Sequence, residues 1–132
     1  MLIVRFASED IGMADSRALE ICVAAYQAWH YLGMPECNVH LTHAVTYCAL
    51  APKSNSLEVA YLSAKEDAIK TLQEPVPLQI RNAPTKLMKE LNYGKDYEYS
   101  HDYKYHMTDM VCMPDGLIDR QYYKPSDQGS EV

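Results

Sequence analysis

The chain has 132 residues, 48% hydrophobic and 23% charged, with a formal net charge of −6. This length and composition predict one globular domain with its own core and exclude a disordered chain. The acidity argues against a domain whose main role is to grip nucleic acid. No segment approaches the run of about 18 apolar residues that a membrane helix needs, and residues 1–10 lack a signal-peptide layout, so we expect a soluble, cytoplasmic protein.

The first predicted elements are a short apolar segment and one long helix. Residues 2–7 form a helix or a strand that begins without a cap, and so abrupt a start predicts a piece of a longer protein. Asp15 is the predicted N-cap of a helix that runs from about Ser16 to Leu32 and ends at Gly33. Its apolar residues form two faces: Leu19, Cys22, Val23 and Tyr26, and Ala18, Ile21, Ala25, Trp29 and Leu32. A helix apolar on most sides needs a central position or a partner subunit.

Three further helices are predicted before residue 94. The second spans about His40 to Ala51, with Leu41, Ala44, Val45 and Cys48 facing inward. The third is capped by Ser54 or Asn55 and runs to about Gln73. Its 3.6-residue period is followed by an apolar stripe: Leu57, Ala60, Tyr61, Ala64, Ala68 and Leu72. Between these lies a solvated face: Lys65, Glu66, Asp67 and Lys70. Residues 74–83 should be extended, with Leu78 and Ile80 alternating against polar neighbours. A short fourth helix opens at Asn82 and Pro84 and closes before Gly94.

The predicted organisation is therefore a single all-α domain over residues 1–132. Its helical body covers about 1–94, and an irregular, tyrosine-rich arm covers about 95–132. Seven of the 11 tyrosines lie between Tyr93 and Tyr123. We expect these rings to pack back onto the helices and the chain to fade into disorder after Ser126.

The sequence contains no recognisable catalytic or nucleotide-binding pattern. There is no Gly-x-x-x-x-Gly-Lys-Ser/Thr loop, no Gly-x-Gly-x-x-Gly, no Gly-x-Ser-x-Gly and no His-Glu-x-x-His. Neither a catalytic residue nor a cofactor-binding residue is therefore assigned, and we expect this chain not to be an enzyme by itself.

One group of residues has the spacing of metal ligands. Cys37, His40 and His43 lie three residues apart at the start of the second helix, but no fourth ligand is near in sequence. Surface histidines flanking a helix start are the preferred interpretation, so no metal site is predicted. The cysteines are expected to be reduced, since they are few and lie mostly in apolar helical stretches.

Two patterns could bind a partner. Tyrosine rings interleaved with Lys95, Lys104 and Lys124 could stack on single-stranded bases, but the acidic residues among them favour rings that cover the core. Four cations could form a modest patch for DNA or another partner, against the simpler interpretation of solvated charges: Lys53, Arg81, Lys86 and Lys89. Arg81 and Asn82 could instead cap helix ends or hold the extended segment.

Several longer strings resemble one family. These are FASEDIG (6–12), LGMPE (32–36), LAPKSN (50–55), PLQIRNAPTKLMK (77–89), YGK (93–95) and HDY (101–103). In this order and spacing they resemble the carboxy-terminal part of the RarA/MgsA family of replication-associated recombination proteins, AAA+ ATPases akin to the Werner helicase-interacting protein. The resemblance extends from about residue 3 to Gly129. Where the family often has Pro-Gly-Gly after HDY, this chain has Lys104-Tyr105-His106, which indicates a different local shape of the arm.

The resemblance implies most of the expected function. The ATPase core and lid, which bind ATP and magnesium, would precede this segment, and the segment would form a helical bundle like the collar of clamp-loader subunits. The family assembles as a homotetramer, is a DNA-dependent ATPase at stalled replication forks in the bacterial nucleoid, and associates with single-stranded DNA-binding protein. A tetramer interface would bury the second apolar face of the first long helix. Our candidates for interface residues are Leu19, Val23, Tyr26 and Trp29; core packing within one chain is the alternative for the aromatic pair.

Overall fold

The structure is a computed structural model that describes residues 2–132. Packing divides it into two units: the described residues up to Asp67 together with Gln121–Val132, and Ala68–Arg120. The α-helices of the described chain are α1 (Leu2–Phe6), α2 (Arg17–Leu32), α3 (Asn38–Leu50), α4 (Ser56–Lys70) and α5 (Lys86–Glu90). Residues 2–132 contain no strand, so the predicted all-α class is confirmed. The likeness to a clamp-loader collar, the single domain and its boundary near residue 94 stay predictions.

The core of the first unit lies where α2 packs on α3. Its buried members are Ala18, Cys22 and Ala25 from α2 and Ala44 and Cys48 from α3. These small side chains let the two helices approach closely. Ile11, in the turns between α1 and α2, is the largest fully buried side chain. The inward direction predicted for Val45 is wrong, because that side chain lies on the exposed side of α3.

The ends of α2 are fixed by polar contacts. The N-cap position is Ser16, one residue after the predicted Asp15, but the Asp15 carboxylate accepts a hydrogen bond from the backbone N–H of Arg17. The same carboxylate accepts one from the Tyr47 hydroxyl of α3 at 2.7 Å, and this hydrogen bond raises the pKa of Tyr47. Gly33 ends the helix with a φ of 72°, as predicted, and its N–H donates to the carbonyl of Trp29. Asp15 therefore ties the start of α2 to α3.

The carboxy-terminal segment of the first unit is ordered. Glu131 accepts hydrogen bonds from the hydroxyls of Ser56, Ser126 and Tyr123, the last at 2.6 Å. Gly129 has a φ of +55°, and a Cβ there would overlap the carbonyl oxygen of Ala14. The expected disorder after Ser126 is therefore wrong.

The predicted cap of α4 is confirmed, but its predicted solvated face is wrong at one residue. The Ser54 hydroxyl accepts from the N–H of Ser56, and the Asn55 carbonyl accepts from Val59, so both candidates for the cap contribute. Asp67, expected on a solvated face, is buried and accepts a hydrogen bond from the Tyr122 hydroxyl at 3.2 Å. Helical periodicity could not show that a residue 55 positions away covers this carboxylate.

The second unit has little regular structure. Helix α5 is one short stretch, capped by the Thr85 hydroxyl, which accepts from the N–H of Met88. Leu78–Ile80 form a 3-10 turn, so the extended alternation predicted there is wrong. Local hydrogen bonds hold the segments together, among them the one from Gly94 N–H to the Leu78 carbonyl at 2.7 Å. Within Ala68–Arg120, all of which the structure describes, no residue is buried.

Candidate assembly surface

Helix α2 carries two different apolar lines. One line, of small residues, packs on α3. The second line consists of large side chains that are 36–42% exposed: Leu19, Val23, Tyr26 and Trp29, here called the α2 stripe. The structure thus places all four candidate interface residues on one helix with solvent-accessible surface. Leu19, Val23 and Tyr26 follow the helical repeat, and the Trp29 ring lies 5.9 Å from that of Tyr26.

A groove adjoins the middle of the α2 stripe. It has a volume of about 510 Å³ and is lined by Val4, Arg5 and Ser8 together with Val23 and Tyr26. Arg5 makes an ion pair with Glu9 and approaches Glu58 at 3.9 Å. Hydrogen bonding with Glu9 raises the pKa of Arg5. The groove therefore links the α2 stripe to Val4, Arg5 and Ser8, and Arg5 adds a cation to its edge.

The cysteines of the first unit contribute packing. Cys22 Sγ lies 3.3 Å from Cys48 Sγ across the α2–α3 contact, and both thiols are reduced. Burial, followed by the hydrogen bond with Cys48, raises the pKa of Cys22 to about 12. Cys37 is also buried and reduced, and Cys112 is exposed. The thiol pair behaves as a small apolar contact and not as a nucleophile.

The four cations considered for contact with DNA or another partner are divided between the two units. Lys53 belongs to the first unit, where its ammonium donates to the carbonyls of Cys48 and Ala51 and caps the end of α3. Arg81, Lys86 and Lys89 belong to the second unit. The Arg81 Nε donates to the Val76 carbonyl and the guanidinium lies 5.1 Å from the Tyr93 ring centre, while Lys86 approaches Glu90 at 4.0 Å.

Two hydrogen-bonded carboxylates of the first unit were missed from the sequence. Hydroxyl donors from Ser126, Ser54, Ser56 and Tyr123, in that order of effect, lower the pKa of Glu131 to about 2. Buried Asp67 is the other. Neither lies in a recognisable motif, and only the three-dimensional return of the carboxy-terminal segment reveals them.

Among the residues that the structure describes, no group of three His, Cys, Asp or Glu side chains could hold a metal ion. Over the same residues, no helix is both long and apolar enough to span a membrane.

Comparison with known proteins identifies relatives along almost the whole chain. Replication-associated recombination protein A of Coxiella burnetii is 46% identical over 131 residues, which is 98% of this chain and 30% of that protein. ATPase WRNIP1 of Dictyostelium discoideum is 42% identical over 122 residues, 92% of this chain and 14% of that protein. Replication-associated recombination protein A of Escherichia coli K12 is 40% identical over 126 residues, 95% of this chain and 28% of that protein. The chain thus spans less than a third of each of these three relatives.

The family model described as "MgsA AAA+ ATPase C terminal" matches residues 2–132. This match agrees with the family resemblance seen in the sequence strings. The chain belongs to the family of MgsA-type AAA+ ATPase carboxy-terminal domains.

Proposed function

We propose that this domain holds copies of a replication-associated AAA+ ATPase together as a homotetramer and has no catalytic activity of its own. The observation that carries the proposal is the α2 stripe. Its four large apolar side chains remain accessible, whereas the line beside them, which packs on α3, consists of alanine and cysteine. Aromatic residues are enriched in the cores of protein interfaces, which fits Tyr26 and Trp29 in particular.

The area that a stable interface requires determines how many residues of the first unit must belong to it. Fully burying a leucine or valine contributes about 1.5–3 kcal/mol, and the stripe residues are already partly covered. A stable interface needs about 800 Å² from each partner, which is more than four side chains supply. We therefore include the groove at Val4, Arg5 and Ser8 in the interface. Homotetramers commonly combine two kinds of two-fold contact, so a second face is also required.

The proposal for the whole protein rests on the relatives. Two of those reported carry the name replication-associated recombination protein A, and one is named an ATPase. We infer that ATP and magnesium bind in a core outside this segment, that DNA and single-stranded DNA-binding protein are partners of the whole protein, and that it acts in the cytoplasm at replication forks and in recombination. The domain's contribution is geometric: it keeps several ATPase cores on one DNA substrate.

The test is the molar mass of this chain, measured by light scattering on a sizing column over a dilution series. We expect a mass near four chains for the wild type. Val23→Asp should lower it, because the substitution places a charge in the α2 stripe. The matched control is Val45→Asp on α3: Val45 is also an exposed helical valine, 57% accessible, and the substitution adds the same charge.

The outcomes separate the parts of the proposal. A wild-type monomer at every concentration contradicts assembly by this domain. A tetramer that Val45→Asp dissociates and Val23→Asp does not would move the interface from α2 to α3. For the proposed absence of catalytic activity, we expect an ATPase assay of this chain to detect no hydrolysis.

A further inference from the structure

The second unit exposes a cluster of aromatic rings in residues 97–106, here called the aromatic loop. Its tyrosines are between 45% and 78% exposed: Tyr97, Tyr99, Tyr103 and Tyr105. The sequence favoured rings that cover the helical core, and for these four that prediction is wrong. Tyrosine presents a large, rigid contact area at a low entropic cost, so an exposed group of four is typical of a binding surface.

Several rings of the loop are held in place before any partner binds. The Tyr99 ring lies 5.1 Å from that of His101, which lies 5.0 Å from that of His106. Tyr105 and His106 both adopt the left-handed region, with φ of 64° and 55°. Such a backbone is unfavourable for bulky residues, and here it presents a ring to solvent and does not bury it. The Tyr99 ring therefore has a packed neighbour, and the Tyr105 ring faces solvent.

The rings of this chain already accept cations. The Lys104 ammonium lies 4.9 Å from the centre of the Tyr105 ring, and in the same unit the Arg81 guanidinium lies 5.1 Å from that of Tyr93. The negative face of an aromatic ring attracts a cation, more strongly when water is excluded. A cationic side chain of a partner would find the same kind of face on the neighbouring tyrosines.

The charge around the loop selects between partners. Residues 95–109 carry Lys95 and Lys104 against four carboxylates, Asp96, Glu98, Asp102 and Asp109, a local net charge of −2. A phosphate backbone would be repelled here, because it carries only negative charge. A cationic partner has the complementary charge.

We propose that the aromatic loop binds an extended peptide segment that carries arginine or lysine side chains. The cations lie on the tyrosine faces and pair with the carboxylates that flank them, and proline in the segment would favour the extended form. The aromatic loop and the α2 stripe share no residues, and the inference does not depend on assembly of the domain.

The test measures the fluorescence anisotropy of a labelled peptide of six Arg-Pro repeats titrated with the 132-residue chain. Tyr103→Ala/Tyr105→Ala should weaken binding at least tenfold, although it leaves the net charge at −6. The matched control is Tyr31→Ala on α2, since Tyr31 and Tyr105 are both 78% exposed. This control should bind as the wild type does. Tyr105→Phe keeps the ring and should also retain affinity.

Each other outcome overturns the inference. Equal affinity of the wild type and the tyrosine variant would show that the rings do not contribute and that general attraction to an acidic protein explains binding. Ring-dependent binding of a 15-nucleotide oligo-dT in place of the peptide would assign the loop to nucleic acid. Circular dichroism establishes that the variant is folded, and the single change Tyr103→Ala replaces it if it is not. The sizing-column mass of the variant should equal that of the wild type, so this test and the assembly test fail separately.

Discussion

Different interactions stabilise each of the two units of this domain. The first unit has an interior, in which α2, α3 and the turn at Ile11 exclude water. The second unit, Ala68–Arg120, contains no buried residue and depends on local hydrogen bonds, helix caps and contacts between rings and cations. The first unit therefore carries the core and the proposed assembly surface, whereas the second unit exposes its aromatic residues.

The largest expected difference between the units is in thiol reactivity. Native chain treated with iodoacetamide near pH 7.5 should be alkylated at Cys112, which is exposed. Cys22 should react slower by on the order of 100-fold or more, since it is buried and its pKa is raised to about 12. Mass spectrometry of peptides over a time course measures both rates. Similar rates at Cys22 and Cys112 in folded protein would show that the α2–α3 core is open, and Cys112→Ser identifies the fast phase.

The next largest effect concerns a pair of isoleucines, one in each unit. Ile11→Ala should lower the free energy of unfolding by about 2–5 kcal/mol, because Ile11 is fully buried and the change leaves a cavity. Ile118→Ala in the second unit should cost less than about 1 kcal/mol, because Ile118 is 48% exposed.

Urea unfolding followed by the fluorescence of Trp29, the single tryptophan, reports directly on the first unit. Equal destabilisation by the two substitutions would remove the distinction between a unit with a core and a unit without one.

A smaller, pH-dependent effect is expected at Glu131. Its pKa is lowered from 4.5 to about 2 by hydrogen bonds from hydroxyls, so the ionised carboxylate stabilises the folded state above about pH 4.5. That contribution is lost as the pH falls towards 2. Glu131→Gln should therefore flatten the decline of the urea midpoint between about pH 5 and pH 2.

Ser126→Ala, which removes the hydroxyl with the largest effect on that pKa, should flatten the decline in part while retaining the carboxylate. An unchanged profile in both variants would show that Glu131 does not hold the carboxy-terminal segment in solution.

Helices were more predictable from the sequence than the faces they bury. Helical periodicity and Gly33 predicted α2 and its end to within a residue or two. The two apolar faces predicted on α2 are wrong in their membership. Cys22 packs inward with Ala18 and Ala25, whereas Trp29 is accessible. Large side chains are usually expected inside, but the close approach of α3 selects Ala18, Cys22 and Ala25 and leaves the larger residues accessible.

Long-range contacts explain the remaining errors. The spacing along α4 predicts that Asp67 faces solvent, yet the Tyr122 hydroxyl donates a hydrogen bond to its carboxylate. The composition after Ser126 predicts disorder that would include Glu131, yet Glu131 accepts a hydrogen bond from the Ser56 hydroxyl at the start of α4. Such contacts depend on where the chain returns, and residue spacing along one element contains no information about that.

The most direct test of the central claim uses Trp29, which belongs to the α2 stripe and is 42% exposed in the single chain. Its emission maximum and its quenching by acrylamide should be measured over a dilution series, alongside the molar mass. We expect blue-shifted, poorly quenched emission in the tetramer and a shift to the red as the mass falls to one chain. Emission typical of an exposed tryptophan in a sample whose mass equals four chains would contradict it, because the copies would then be joined by another surface.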